Sequence, residues 1–112
     1  MSSNIAHDVL VRDDGRCFKC GRIVMNGPHS CHHRKLRSAL GSDTPENRIT
    51  LCGSGTTGCH GEVHNSPRAS RADGYIVSRY REPEDIPVKH WERGFVFLTE
   101  DGDMRDEERD DD

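Results

Sequence analysis

Four cysteines and four histidines in this chain are spaced so that they could do chemistry. Cys17 and Cys20 form C-x2-C with Gly21 directly after, the pattern of a turn whose backbone lets two thiolates reach one ion. Cys52 and Cys59 form a wider C-x6-C pair around "GSGTTG", whose glycines let the loop fold back on itself. Four thiolates satisfy the tetrahedral preference of a closed structural Zn²⁺ site. The fifth cysteine, Cys31, sits beside histidines rather than in a paired turn and reads as a half-buried free thiol, although it could displace one of the four. His60 and His64 stand at i, i+4, so on a helix both rings point the same way. His32 and His33 are adjacent, and in a regular strand neighbours face opposite sides. The pair serves one site only if the strand loses its pleat there, through a bulge or by running into the following loop. If that strand packs on the helix of His60 and His64, the four imidazoles converge on a second, catalytic type of metal centre.

The elements that must position these groups are short. Ile5, Ala6, Val9 and Leu10 share one face at helical spacing, predicting a helix within residues 1–15 that ends near Gly15. "CFKCGRIV" reads as a metal knuckle feeding a strand through Val24; "NGP" at 26–28 is a turn, and the chain returns as a second strand through His33. Residues 36–47 read as a polar loop and "RITLC" as a short extended piece. A helical turn or two is expected from Cys59 to about Asn65, closing before Pro67. "GYIVSRY" and "GFVFLTEDG" read as two strands that pad the core, and residues 103–112 as disordered.

Composition explains why a metal is needed. Of 112 residues, 31 % are hydrophobic, with three Phe, two Tyr and one Trp, too lean for a core that holds itself together without a staple. "MSSNIAHDVLVRDD" has no basic start followed by an apolar run, and no stretch approaches the roughly 20 apolar residues of a membrane span. The expectation is therefore a cytoplasmic protein without a membrane partner, where disulfides are disfavoured and clustered cysteines point to metal. Residues 1–81 hold twelve Lys and Arg against seven Asp and Glu, a surplus of +5, while residues 82–112 carry −9. A basic body with an acidic tail fits a nucleic-acid binder, and equally a small domain kept soluble by its charges.

The order His33, then Asn47 in "ENRITLC", then His60 in "CHGEVH" resembles the HNH endonucleases with a ββα-metal site, in the variety that carries C-x2-C before the first His and "LC…CH" around the last. With "CHHRKL" and the flanking "GYIVSRY", the chain is most similar to small HNH proteins of actinobacterial phages. The resemblance covers residues 16–64 and implies an α+β fold: a small ββα-metal, treble-clef-like core over 16–70 stapled by zinc, a strand extension over 71–100 and an acidic tail over 101–112. It implies His33 as the general base, His32 and His60 as ligands of the catalytic metal, and His64 as a third ligand or phosphate contact. Asn47 would orient the loop and the base ring. Arg34, Lys35, Arg37 and Arg48 become candidates for DNA backbone phosphates. His32 stands where the family usually carries Asp or His; with His there the site offers more nitrogen and less charge than a typical Mg²⁺ site, and imidazole suits Zn²⁺, Ni²⁺, Co²⁺ or Mn²⁺ well. The implied activity is hydrolysis of phosphodiester bonds in double-stranded DNA, in a phage context beside the large terminase subunit and in the bacterial host cytoplasm. His7, His29 and His90 read as structural. The competing reading is a catalytically inactive, zinc-stapled DNA- or protein-binding module, which needs the four cysteines but gives no reason for His32, His33, Asn47 and His60 to occur in that order.

Overall fold

The computed structural model describes residues 4–107. The first element is a helix, α1 (Ile5–Arg12), started by Asn4, whose side chain accepts a hydrogen bond from the His7 N–H at 3.0 Å. Its apolar side brings Val9 and Leu10 to the core. Its end is pinned: Arg12 bonds Asp13 and donates to the carbonyls of Pro45 and Arg48, while Asp13 accepts the Thr50 N–H at 2.9 Å.

The central unit is an antiparallel hairpin followed by a helix. Strand β1 (His29–His33) pairs with β2 (Arg48–Cys52) in a continuous register that sets His29 opposite Cys52 and His33 opposite Arg48. Helix α2 (Gly58–Asn65) packs on both strands. Here the structure corrects the expected hairpin. The partner of the His32 strand is "RITLC", across the 36–47 loop, and "CGRIV" contributes a single bridge between Arg16 and Ile23. "RITLC" wins because all but its first residue are buried, with Ile49 and Leu51 wholly inaccessible, whereas Ile23 and Met25 in the competing segment are exposed.

A further helix, α3 (Pro67–Ala72), begins at Pro67, a proline at the first helical position starting a new helix as readily as it ends the old one. A three-stranded antiparallel sheet closes the fold: β3 (Val88–His90), β4 (Gly94–Leu98) and β5 (Met104–Asp106), in that order. "GFVFL" is a strand as expected, but "GYIVSRY" is not its partner. Its buried Tyr75 and Val77 lie in an irregular connector whose backbone bonds residues 32, 34 and 70 instead. Nor is the beginning of the acidic tail disordered, since Met104 pairs with Leu98 and Asp106 with Val96. The edge strand is short and charged, with Arg93 paired to Asp106 at 2.9 Å. The remainder of the tail, residues 108–112, lies outside the described residues. The core joins the two sheets through Phe18, Val24, Ile49, Leu51, Val63, Tyr75, Val88, Val96 and Leu98.

Candidate metal centres and the histidine cleft

The cysteines come together because two loops are folded back by backbone hydrogen bonds. Cys17 N–H donates to Arg22 O at 2.8 Å and Gly21 N–H to Cys17 O at 2.9 Å, closing the knuckle. The knuckle docks on β2 through Phe18 N–H to Thr50 O at 2.8 Å. On the other loop Gly53 has φ +87°, and a Cβ there would lie 2.1 Å from Thr57 O. That reversal returns the chain so that Cys59 N–H reaches Cys52 Sγ at 3.5 Å. The sulfurs of Cys17, Cys20, Cys52 and Cys59 all lie within 4.8 Å of one another, with Cys20 and Cys52 3.8 Å apart. Two sulfurs bound about 2.3 Å from one tetrahedral zinc stand roughly 3.8 Å apart, so the donor set fits a structural metal ion. Burial pushes the Cys17 and Cys59 thiols up. Burial opposes ionisation of Cys52 as well, but hydrogen bonds from the Cys59 backbone and from the neighbouring thiols bring its pKa below the usual value. A cluster of four thiols needs a cation before all four can shed their protons.

The second centre lies where the end of β1 meets α2. His32 from the strand and His60 and His64 from one face of the helix bring ring nitrogens within 4.8 Å of one another. His60 Nε2 and His64 Nε2 are 3.0 Å apart, close to the roughly 3 Å between two nitrogens bound at about 2.0–2.1 Å to one ion. His32 is buried, and its Nε2 lies 2.8 Å from the Tyr75 carbonyl. A carbonyl accepts only, so Nε2 carries the proton and Nδ1 holds the lone pair, the arrangement that orients a metal-bound histidine. Burial pushes the His32 pKa down to about 4, aided by His60 and His64 and opposed by the Tyr75 carbonyl. Burial and His64 also lower that of His60. Both rings are therefore neutral at pH 7, as ligands must be. His60 Nδ1 is buried with no hydrogen-bond partner. Three imidazoles this close could hold a metal ion through His32 Nδ1 and the facing Nε2 atoms of His60 and His64, which leaves His60 Nδ1 on the far side of its ring without a partner.

His33 lines the same cleft as His32, His60 and His64, together with Cys31, Leu36, Arg37 and Ser38. No bulge is needed to bring the two histidines to it. The register is regular through His33, and the strand then runs straight into the 36–47 loop, so the cleft wraps around the strand end. The pleat separates the two rings. His32 turns in toward the helix, and His33 Nε2 meets Asp43 Oδ1 at 2.6 Å. The hydrogen bond from His33 holds the Asp43 carboxyl below its usual pKa, and Arg48 approaches the same oxygen at 3.4 Å.

Asn47 is wholly buried and clamps this loop. Its Oδ1 accepts Lys35 N–H at 2.7 Å, its Nδ2 donates to Lys35 O at 3.0 Å and Ser42 O at 2.8 Å, and its carbonyl accepts Arg34 N–H at 2.8 Å. It fixes the backbone just after His33 and just before Asp43 without bonding either side chain.

The four basic candidates divide. Arg34 is not a phosphate contact: it is fully buried, and its guanidinium donates to the carbonyls of Gly74, Glu46, Pro83 and Ile86. Lys35 is mostly buried, with its Nζ 3.6 Å from Glu82. Arg48 is half-buried between Asp43 and the Cys31 carbonyl. Arg37 is exposed on the cleft wall. Sequence reasoning missed Asp43 and the Tyr75 carbonyl. A lone acid in a polar loop carries no signal of where it returns, and a carbonyl carries none at all. His29 is exposed and His90 is buried against Phe18, both outside the cleft. No family model, curated protein or solved structure matches the chain.

Proposed function

We propose that this chain is a metal-dependent endonuclease of the HNH type that hydrolyses phosphodiester bonds in double-stranded DNA. The observation that carries this reading is the convergence of His32, His60 and His64 at the junction of hairpin and helix, with His33 on the same cleft. A structural zinc on the four cysteines would hold the hairpin and helix in register. His32, His60 and His64 would hold the second ion, which when bound supplies Lewis acidity to a phosphate oxygen and to the leaving 3′ oxygen. Mg²⁺, Mn²⁺, Ni²⁺ and Zn²⁺ are the candidates, the imidazole set favouring the later ones. His33 acts as general base. With its Nε2–H given to Asp43, the Nδ1 lone pair takes the proton of the attacking water. Asn47 and Asp43 act through His33 by fixing its loop and its ring. Arg37 and Arg48 meet backbone phosphates, whose contacts set position rather than sequence preference. The phage setting, beside a large terminase subunit during genome processing, belongs to the same proposal and comes from the resemblance alone.

The test is plasmid nicking by purified protein in each metal. Wild type converts supercoiled DNA, and His33→Ala and His60→Ala are slower, the former by about 10²–10⁴-fold, the usual contribution of a general base. If wild type and His33→Ala are equally inert in every metal while each keeps one zinc per chain, the nuclease reading is wrong and the zinc-stapled binding module takes its place.

A further inference from the structure

The connector "GYIVSRY" ends in an exposed turn that neither metal centre uses. Tyr80 is 86 % accessible, the most exposed large apolar side chain among the described residues. Arg79 lies over its ring at 6.0 Å, and Arg81 follows it. The turn is shaped by Ser78, whose Oγ accepts the Tyr80 N–H at 3.2 Å and whose carbonyl accepts the Arg81 N–H at 3.0 Å. Both ends are anchored to the two residues that follow His33. Val77 N–H donates to Arg34 O at 2.9 Å, and Glu82 faces Lys35 Nζ at 3.6 Å. Upstream, Tyr75 O holds His32 itself. The turn is thus tied to the backbone between His33 and the cleft-lining residues Leu36 and Arg37.

Among the described residues Arg37, Arg79 and Arg81 have no ion pair, whereas the acids next in the chain are directed elsewhere. Glu82 is taken by Lys35, and Glu84 and Asp85 line a separate hollow with Phe97 and Arg105. An exposed aromatic ring between two unpaired arginines gives burial no role and suits a ligand with flat rings and regularly spaced negative charge. A single-stranded nucleic acid has both, because an unpaired base offers its face for stacking and its flanking phosphates take the arginines. A base inside a duplex offers no such face.

From this geometry we infer that the Ser78–Arg81 turn is a contact for unpaired DNA at the rim of the histidine cleft, with Tyr80 stacking on a base and Arg79 and Arg81 on the phosphates either side. The inference rests on reading the cleft as a DNA-cleaving site, and it sharpens the substrate to DNA with a single-stranded segment next to the scissile bond.

The experiment measures binding of fluorescently labelled single-stranded and blunt duplex oligonucleotides by anisotropy, with full-length protein carrying one zinc per chain and no further divalent metal, and oligonucleotide length is checked on a denaturing gel so that cleavage does not enter. Tyr80→Ala weakens single-strand binding by about 5- to 150-fold, the range for loss of one base–aromatic stack, and Tyr80→Trp restores it. Arg79→Gln and Arg81→Gln each lower the slope of log affinity against log salt by about 0.7. Duplex binding changes little with Tyr80→Ala. The inference is overturned if wild type does not bind single strands, if Tyr80→Ala binds them like wild type, or if both DNA forms lose affinity equally. A protein that cuts plasmid with unaltered Tyr80→Ala binding refutes this inference alone. One that binds through Tyr80 but never cuts refutes the nuclease reading alone.

Discussion

Replacing Arg34 separates a buried girder from a DNA contact, two roles with opposite consequences. The side chain donates at 2.8 Å to Gly74 O, 2.9 Å to Glu46 O, 3.1 Å to Pro83 O and 2.7 Å to Ile86 O. It therefore ties the connector before "YIV", the turn carrying Asn47 and the segment leading to β3 to the residue just after His33. Hydrogen bonds from a charged group contribute about 1.5–3 kcal/mol each, so the four bonds gross about 6–12 kcal/mol. Against this stands the desolvation of a guanidinium with no exposure, a cost of several kcal/mol that a neutral replacement avoids. Arg34→Met fills most of the volume but leaves the carbonyls of Gly74, Glu46 and Ile86 without donors, Pro83 O keeping the Ile86 N–H, for a net loss of about 3–5 kcal/mol. Arg34→Lys is no rescue, because one ammonium cannot reproduce a planar fork aimed at four acceptors. The assay is urea unfolding at fixed, saturating zinc, so that metal linkage stays constant between variants. A fall in the midpoint with an unchanged slope is expected. Stability within about 1 kcal/mol of wild type, together with a reduced salt dependence of DNA binding, would refute the reasoning and return Arg34 to the phosphates.

Two further outcomes test the cysteine loops. Cys20 is exposed, so Cys20→Ser removes a ligand at little packing cost; the variant is expected to surrender zinc to a chromogenic chelator at concentrations where wild type keeps one ion, and to unfold as it does so. Equal zinc retention by the two proteins counts against a four-cysteine site. Gly61 lies in α2 between His60 and His64, where Ala would ordinarily stabilise a helix by about 1 kcal/mol. Here a Cβ would sit 2.5 Å from the Thr56 carbonyl carbon, so Gly61→Ala is expected to cost about 1–3 kcal/mol by pushing the Cys52–Cys59 loop off the helix. A higher urea midpoint for the alanine variant would show that the loop does not pack there.

Local spacing made both clusters legible in the sequence. C-x2-C in a glycine turn, a glycine-rich C-x6-C and His60 with His64 one helical turn apart are set by chain geometry over a few residues, and the structure brings each group together. The α+β class and α1 and α2 were readable for the same reason, since side-chain direction within an element follows from its period. What the tertiary structure decided lies between elements. Whether the His32 strand pairs with "CGRIV" or "RITLC" depends on which partner buries more apolar surface, a non-local sum that the intervening loops do not encode. "GYIVSRY" alternates like a strand, but its backbone groups were claimed by His32, Arg34 and Ser70 before any strand could use them. In "HHRKL" an arginine beside a lysine reads as surface charge, because the four carbonyls that bury Arg34 arrive from 12 to 52 residues away. The sequence by itself determined which side chains could do chemistry. Only the packed structure decided which neighbours orient them: the Tyr75 carbonyl on His32, Asp43 on His33 and the Asn47 clamp across the loop.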